Sequence, residues 1–238
     1  MTQTTLLVFA RAAGLVSRAP GFAHPSVPVV VRMAFALALA FAVTPTVRSP
    51  GAVSLVAFVL AVAAEFALGA AIGFGAALLY DGAYFAGRTI DDYLGVRGSL
   101  PGAHVTSAQA FGRLWSSVFL AAFVLLDGWV PLIGAFAASF DHVIPGALVD
   151  GAHWMRYALA MPATILRAAF VVAAPAIAIA AALQLALAAG ARVVPRFSSV
   201  SLAFPVVFAG GLAITIATAG VVGQLGARPW LVVPWGTP

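Results

Sequence analysis

The chain has 238 residues, of which 63% are hydrophobic and 8% charged, with a mean hydropathy of +1.08 and a formal net charge of +5. Soluble domains run to ~45–50% apolar and ~25% charged residues, so a cytosolic enzyme, a disordered chain and a disulfide-stapled secreted domain are excluded and a membrane protein is indicated. With no cysteine there is no thiolate nucleophile, disulfide or Cys-based metal site. All twelve basic residues are arginine and none forms a run that could track phosphates, so no nucleic-acid partner is expected.

The first element is a short amphipathic helix at residues 6–16, expected to lie at a membrane interface with Arg11 and Arg18 holding it there. Ser17-Arg18-Ala19 loosely mimics a leader cleavage site, but the uncharged start and Arg11 inside the apolar stretch argue for mature structure. Pro20, Pro25 and Pro28 make the next nine residues an extended link. Apolar helices follow at 29–43 and 52–80, the latter with Glu65 as its one charge. Residues 81–113 form a polar stretch. The apolar run 114–140 contains Asp127-Gly128-Trp129 and Pro131, which leaves two readings open, a kinked helix or a tight hairpin. After the polar loop 141–156, the run 157–190 is long enough to span the membrane, with bends expected at Pro162 and Pro175. A break at 191–199 precedes a last apolar segment, 200–222, and a tail whose Trp230 and Trp235 suit a membrane boundary. The fold class is therefore all-α, a helical integral membrane protein of kinked helices and helical hairpins, read as one domain over 1–238. If 114–140 crosses once, five arginines lie on one side against two on the other, which places loops 81–113 and 191–198 in the cytoplasm.

Glu65 is the deepest charge. An ionised group at the bilayer centre costs ~3 kcal/mol on insertion scales, so it must face protein or water, be paired, or be protonated. Gly69 and Gly73 stand at i+4 and i+8 on the same helical face, a small-xxx-small pattern that lets another helix approach closely. Glu65 is therefore expected at a helix–helix contact, either satisfying one arginine to fix packing or serving a gating or proton-linked role. The small-residue seam continues through Gly87, so one long helix is expected to project from the hydrophobic layer. That helix carries Arg88, Asp91 and Asp92 on its end, with a solvated Arg88–Asp pair there. Arg32 and Arg167 lie near helix starts and are expected to snorkel to the headgroups.

No constellation for chemistry emerges. Glu65 is the only glutamate and has no adjacent histidine, and His24, His104, His142 and His153 lack the helical i,i+4 spacing of a metal pair. There is no Gly-x-Ser-x-Gly elbow and no phosphate loop. No catalytic, cofactor-binding or metal-binding residue is assigned, no cofactor is expected, and the chain is read as a non-enzyme.

Three stretches together resemble the FliR family of flagellar export proteins and its virulence-system counterpart, the SctT (YscT, SpaR-like) family. The first runs from Arg11-Ala-Ala-Gly14 and Pro20-Gly-Phe22 through Val27-Pro28-Val-Val-Val-Arg32 to Pro45. The second is Glu65-Phe-Ala-Leu-Gly69-Ala-Ala-Ile-Gly73-Phe74, continuing to Gly87-Arg88-Thr-Ile90-Asp91 and Gly95. The third is Leu187-Ala-Ala-Gly-Ala-Arg192-Val-Val-Pro195, followed by Phe204-Pro205. The resemblance implies an inner-membrane subunit of the type III export gate. Such a subunit assembles with FliP/SctR-like and FliQ/SctS-like subunits around a pore for unfolded export substrates and contacts an FlhB/SctU-like export protein. It implies a location in the flagellar basal body or the injectisome base. The family's pore plug falls on about residues 95–106, where Gly95, Gly98, Pro101 and Gly102 give a loop able to bend; a plain connecting turn is the alternative. The chain departs from the family after Pro195, where Arg196-Phe197-Ser198 replaces Gln-x-Asn, and the segment after Gly95 is shortened. Val-Pro-x-x-Val-Arg is closer to the flagellar branch and Ile90-Asp91 to the virulence branch; the flagellar reading is favoured. The competing reading is a small-molecule membrane transporter with a buried Glu site, to which broken helices would also be suited.

Overall fold

The computed structural model describes residues 3–24, 27–48, 54–94, 110–147 and 151–193, with isolated positions 209, 210, 213 and 216. Among the described residues the elements are α1 (Gln3–Arg18), α2 (Val29–Val43) with a 3₁₀ turn at Thr44–Thr46, α3 (Leu55–Leu94), α4 (Ala110–Leu125), α5 (Trp129–His142) and α6 (Gly151–Val193), with no strand.

Local chemistry sets most of the ends. Pro28 occupies the N-cap of α2, where its missing N–H costs nothing, and its carbonyl accepts from Val31 and Arg32. Thr44 Oγ1 donates back to the Ala40 carbonyl at 2.6 Å, and Pro45 then stops the helix. Ser54 caps α3, its Oγ accepting from Ala57 N–H at 3.4 Å. The apolar run 114–140 is two helices. Between them Asp127 takes a left-handed φ of 51°, and Gly128 sits so close to Phe123 that an added Cβ would meet its ring at 2.5 Å. Pro131 then falls in the first turn of α5, where proline is tolerated. α6 runs through Pro162 and Pro175 as one continuous helix.

Described contacts gather into two units. The first draws on Met1–Leu78 and Phe123–Ala163, the second on Leu79–Ala122 and Thr164–Arg228. The core of the first unit joins Val8, Ala12, Leu15 and Val16 of α1 with Ala36, Leu39 and Ala40 of α2, Leu68 and Ile72 of α3, and Phe136 and Phe140 of α5. Phe22 in the Pro-rich link stacks on Phe35 of α2 with ring centroids 4.6 Å apart.

The interfacial expectation for the first helix is overturned. Positions Thr4, Thr5, Leu7, Val8 and every residue from Ala10 to Val16 are buried, so α1 is an internal helix.

In the second unit, Ala83, Ala86 and Gly87 of α3 are buried, as is Trp115 of α4, whose ring centroid lies 6.2 Å from that of Phe119.

Three helices among the described residues are long and apolar enough to cross a membrane: Val29–Thr46, Leu55–Leu78 and Trp154–Gly190. A fourth crossing arises if the broken pair α4–α5 counts as one span. Large apolar side chains stand exposed on these helices, among them Val30, Leu55, Val56, Leu60, Leu159, Leu166, Phe170 and Leu185. Such surface suits lipid or partner helices and is unsuited to water.

Candidate functional site

The densest polar arrangement lies inside the first unit, where α1, α3 and α5 meet. The α1 and α3 backbones approach closely because both lack a side chain at the crossing. A Cβ on Gly69 would collide with the Arg11 carbonyl and stand 2.9 Å from Leu15 N. A Cβ on Gly14 would collide with the Phe66 carbonyl and stand 2.8 Å from Ala70 N. Gly73 meets Leu15 and Ala19 in the same way. The obstructing atoms are backbone, so no rotamer change relieves them. This contact places Arg11 of α1 opposite Glu65 of α3.

Arg11 is 0% exposed and Glu65 is 2% exposed. The guanidinium meets the carboxylate in a two-pronged pair: Arg11 Nε donates to Glu65 Oε2 at 2.5 Å and Nη2 to Oε1 at 3.1 Å. Nη1 donates to Ser139 Oγ at 2.8 Å, and that hydroxyl donates to the Phe136 carbonyl at 2.6 Å. Nη2 also donates to the Val143 carbonyl at 3.0 Å. The guanidinium carbon lies 4.0 Å from the centroid of the Phe140 ring, a cation–π contact strengthened by burial. Glu65 Oε1 accepts a further bond from Gly146 N–H at 2.9 Å. Both carboxylate oxygens are thus occupied, and the pair bridges α1, α3, α5 and the turn that follows α5. Close by, the Tyr157 hydroxyl of α6 donates to the Ala71 carbonyl of α3.

Of the residues singled out in the sequence, Glu65, Gly69 and Gly73 come together here. Arg11 was missed as their partner, along with Ser139, Phe140, Val143 and Gly146. Gly87 lies buried further along α3. Asp91, in the second unit, is fully buried, so it is not the solvated partner of Arg88; the side chain of Asp92, the other candidate, lies outside those described. Arg88 is exposed, and the Asp91 carboxylate accepts Gly112 N–H at 3.0 Å in the first turn of α4, where an anion is favoured. Arg32, at the start of α2, reaches back and donates to the carbonyls of Val27 at 3.1 Å and His24 at 2.9 Å, closing the Pro-rich link. Arg167 is exposed on α6, and Arg192 is exposed in its last turn. The predicted plug residues Gly95, Gly98, Pro101 and Gly102, and the motif residues Pro195 and Pro205, lie outside the described residues.

The geometry is that of a structural node: a buried, two-pronged ion pair that joins α1, α3 and α5. Comparison with known proteins supplies the biological context. No curated protein matches the chain. The model of the family "Bacterial export proteins, family 1" matches residues 2–230. With several apolar helices long enough to cross a bilayer, the match makes this a multi-pass protein of the bacterial inner membrane and of the export apparatus. The chain belongs to the FliR/SctT family of bacterial export proteins.

Proposed function

We propose that the protein is a non-enzymatic, pore-forming subunit of the type III export gate. In this reading it packs with FliP/SctR-like and FliQ/SctS-like subunits and an FlhB/SctU-like export protein to pass unfolded flagellar proteins across the inner membrane of the basal body. Family membership supports an export role. The observation that carries the reading against a solute transporter is the occupancy of Glu65. Its Oε1 and Oε2 are filled by Arg11 and by Gly146 N–H, so the deepest carboxylate offers no open ligand for a solute. The exposed apolar length of α6, only 7% buried over Trp154–Gly190, offers surface for sister helices.

The test is affinity purification of the tagged chain from its own membranes, together with deletion of its gene. The reading expects two other small membrane proteins in the purified complex and loss of flagellar filament export. Loss of effector secretion with filaments intact would move the protein to the virulence branch. A stable solitary protein with a bound solute, or intact secretion of both kinds, would overturn the proposal.

A further inference from the structure

The Arg11–Glu65 pair reaches beyond the helix crossing to the segment that follows α5. The turn at residues 144–147 is closed by Ala147 N–H donating to the Ile144 carbonyl at 2.9 Å, with Pro145 second and Gly146 third at a left-handed φ of 84°. Pro145 is buried and Val143 packs against the core, whereas Ile144, Gly146 and Ala147 are exposed, so the outer part of the turn has no packing of its own. Its backbone is held from both ends of the ion pair: Arg11 Nη2 takes the Val143 carbonyl at 3.0 Å, and Glu65 Oε1 takes Gly146 N–H at 2.9 Å. The cation reads an acceptor and the anion reads a donor three residues on. Meanwhile the α1–α3 crossing rests on the backbone contacts at Gly14, Gly69 and Gly73, which do not involve the turn. Tyr157, through the Ala71 carbonyl, ties α6 to α3 at an independent point.

We propose that the Arg11–Glu65 pair is a positioning latch for the 144–147 turn. Its work is to fix where the chain leaves α5 and heads for α6, and opening the pair frees the turn while the α1–α3 crossing stays closed. This stands on the geometry of the first unit and does not depend on the export reading.

Because the chain has no cysteine, single thiols can be placed without background. A nitroxide on Ala147→Cys reports the turn, and one on Ala42→Cys, exposed on α2, reports the rest of the unit. Spectra are recorded from the full chain in native membranes with Glu65→Gln, Arg11→Lys and Ser139→Ala. Gln removes the carboxylate charge, Lys cannot make the two-pronged contact, and Ser139→Ala removes an Arg11 partner without touching the turn. The expected result is several-fold faster label motion at position 147 in Glu65→Gln and Arg11→Lys, no change at 42, and no change at either position in Ser139→Ala. Unchanged motion at 147 in both pair variants would overturn the latch. So would parallel loosening at 147 and 42, or loss of the variant chains from the membrane, because the pair would then hold the whole unit.

Discussion

Gly69→Ala adds one methyl group at the tightest crossing in the described structure. Its Cβ would collide with the Arg11 carbonyl and lie 2.7 Å from the Arg11 carbonyl carbon and 2.9 Å from Leu15 N. An ordinary contact needs ~3.5–4 Å between carbon atoms, so α1 must move away from α3 by about 1 Å or more, and a backbone cannot turn aside as a side chain does. Overpacking of this kind costs ~1–3 kcal/mol, with the backbone obstruction placing it at the upper end. Alanine's better helix propensity returns ~1 kcal/mol, leaving a net loss of about 2 kcal/mol, or roughly a 30-fold shift in the folded ratio. The same displacement stretches the Arg11–Glu65 pair, so the loss grows if that geometry breaks. Gly134→Ala is the matched control, since nothing lies within 4 Å of its added Cβ on α5 and only the propensity gain applies. Thermal unfolding of the purified protein, followed by tryptophan fluorescence, should show Gly69→Ala melting well below the parent and Gly134→Ala at or slightly above it. Equal melting of the two variants would refute the close approach of α1 and α3.

Asp91→Ala removes the buried acceptor of Gly112 N–H and should cost about 1 kcal/mol, read as faster amide exchange in the first turn of α4. Asp91→Asn keeps an acceptor oxygen and should recover part of that protection. Tyr157→Phe deletes the hydroxyl that donates to the Ala71 carbonyl and should cost about 1 kcal/mol in the same melt. An unchanged melting point would show that the bond contributes nothing net.

Legibility in the sequence followed the range of the interaction. Glu65, Gly69 and Gly73 share one helix, so the 3.6-residue period places them on one face and predicts a close helix contact there. The partner lies 54 residues away, beyond any periodicity, and Arg11 in a short amphipathic opening helix reads as an interfacial cation. Ser139 carries no local mark, and the contributions of Val143 and Gly146 are backbone groups, which side-chain patterns cannot display. Asp91 misled for a related reason: spacing rules within a helix favoured Arg88, whereas the carboxylate serves the first turn of α4, 21 residues on. Long apolar runs gave α2 and the membrane part of α3 directly. The extension of α3 to Leu94 was signalled only by its small-residue seam.

A buried ion pair is weak evidence of stability on its own, because desolvating two charges can cost more than their attraction returns. Here the arithmetic differs for one partner and for two. Arg11→Met alone strands a buried carboxylate, and Glu65→Leu alone strands a buried guanidinium, each at ~3–5 kcal/mol. Replacing both removes the charges together, a change worth ~1–4 kcal/mol in favour of the variant where nothing else depends on the pair. In this protein the double replacement also orphans the Val143 carbonyl and Gly146 N–H, at ~1–3 kcal/mol for each group that stays out of water. Those opposing terms are similar in size, so the double variant should melt near the parent and above either single variant. A double-mutant cycle on detergent-solubilised protein measures this directly. If the two single losses simply add, Arg11 and Glu65 do not act as a pair. If the double variant is much more stable than the parent, the backbone groups of the turn do not rely on it. The intermediate outcome is the one the geometry requires, because the same two side chains that neutralise each other also hold the backbone after α5.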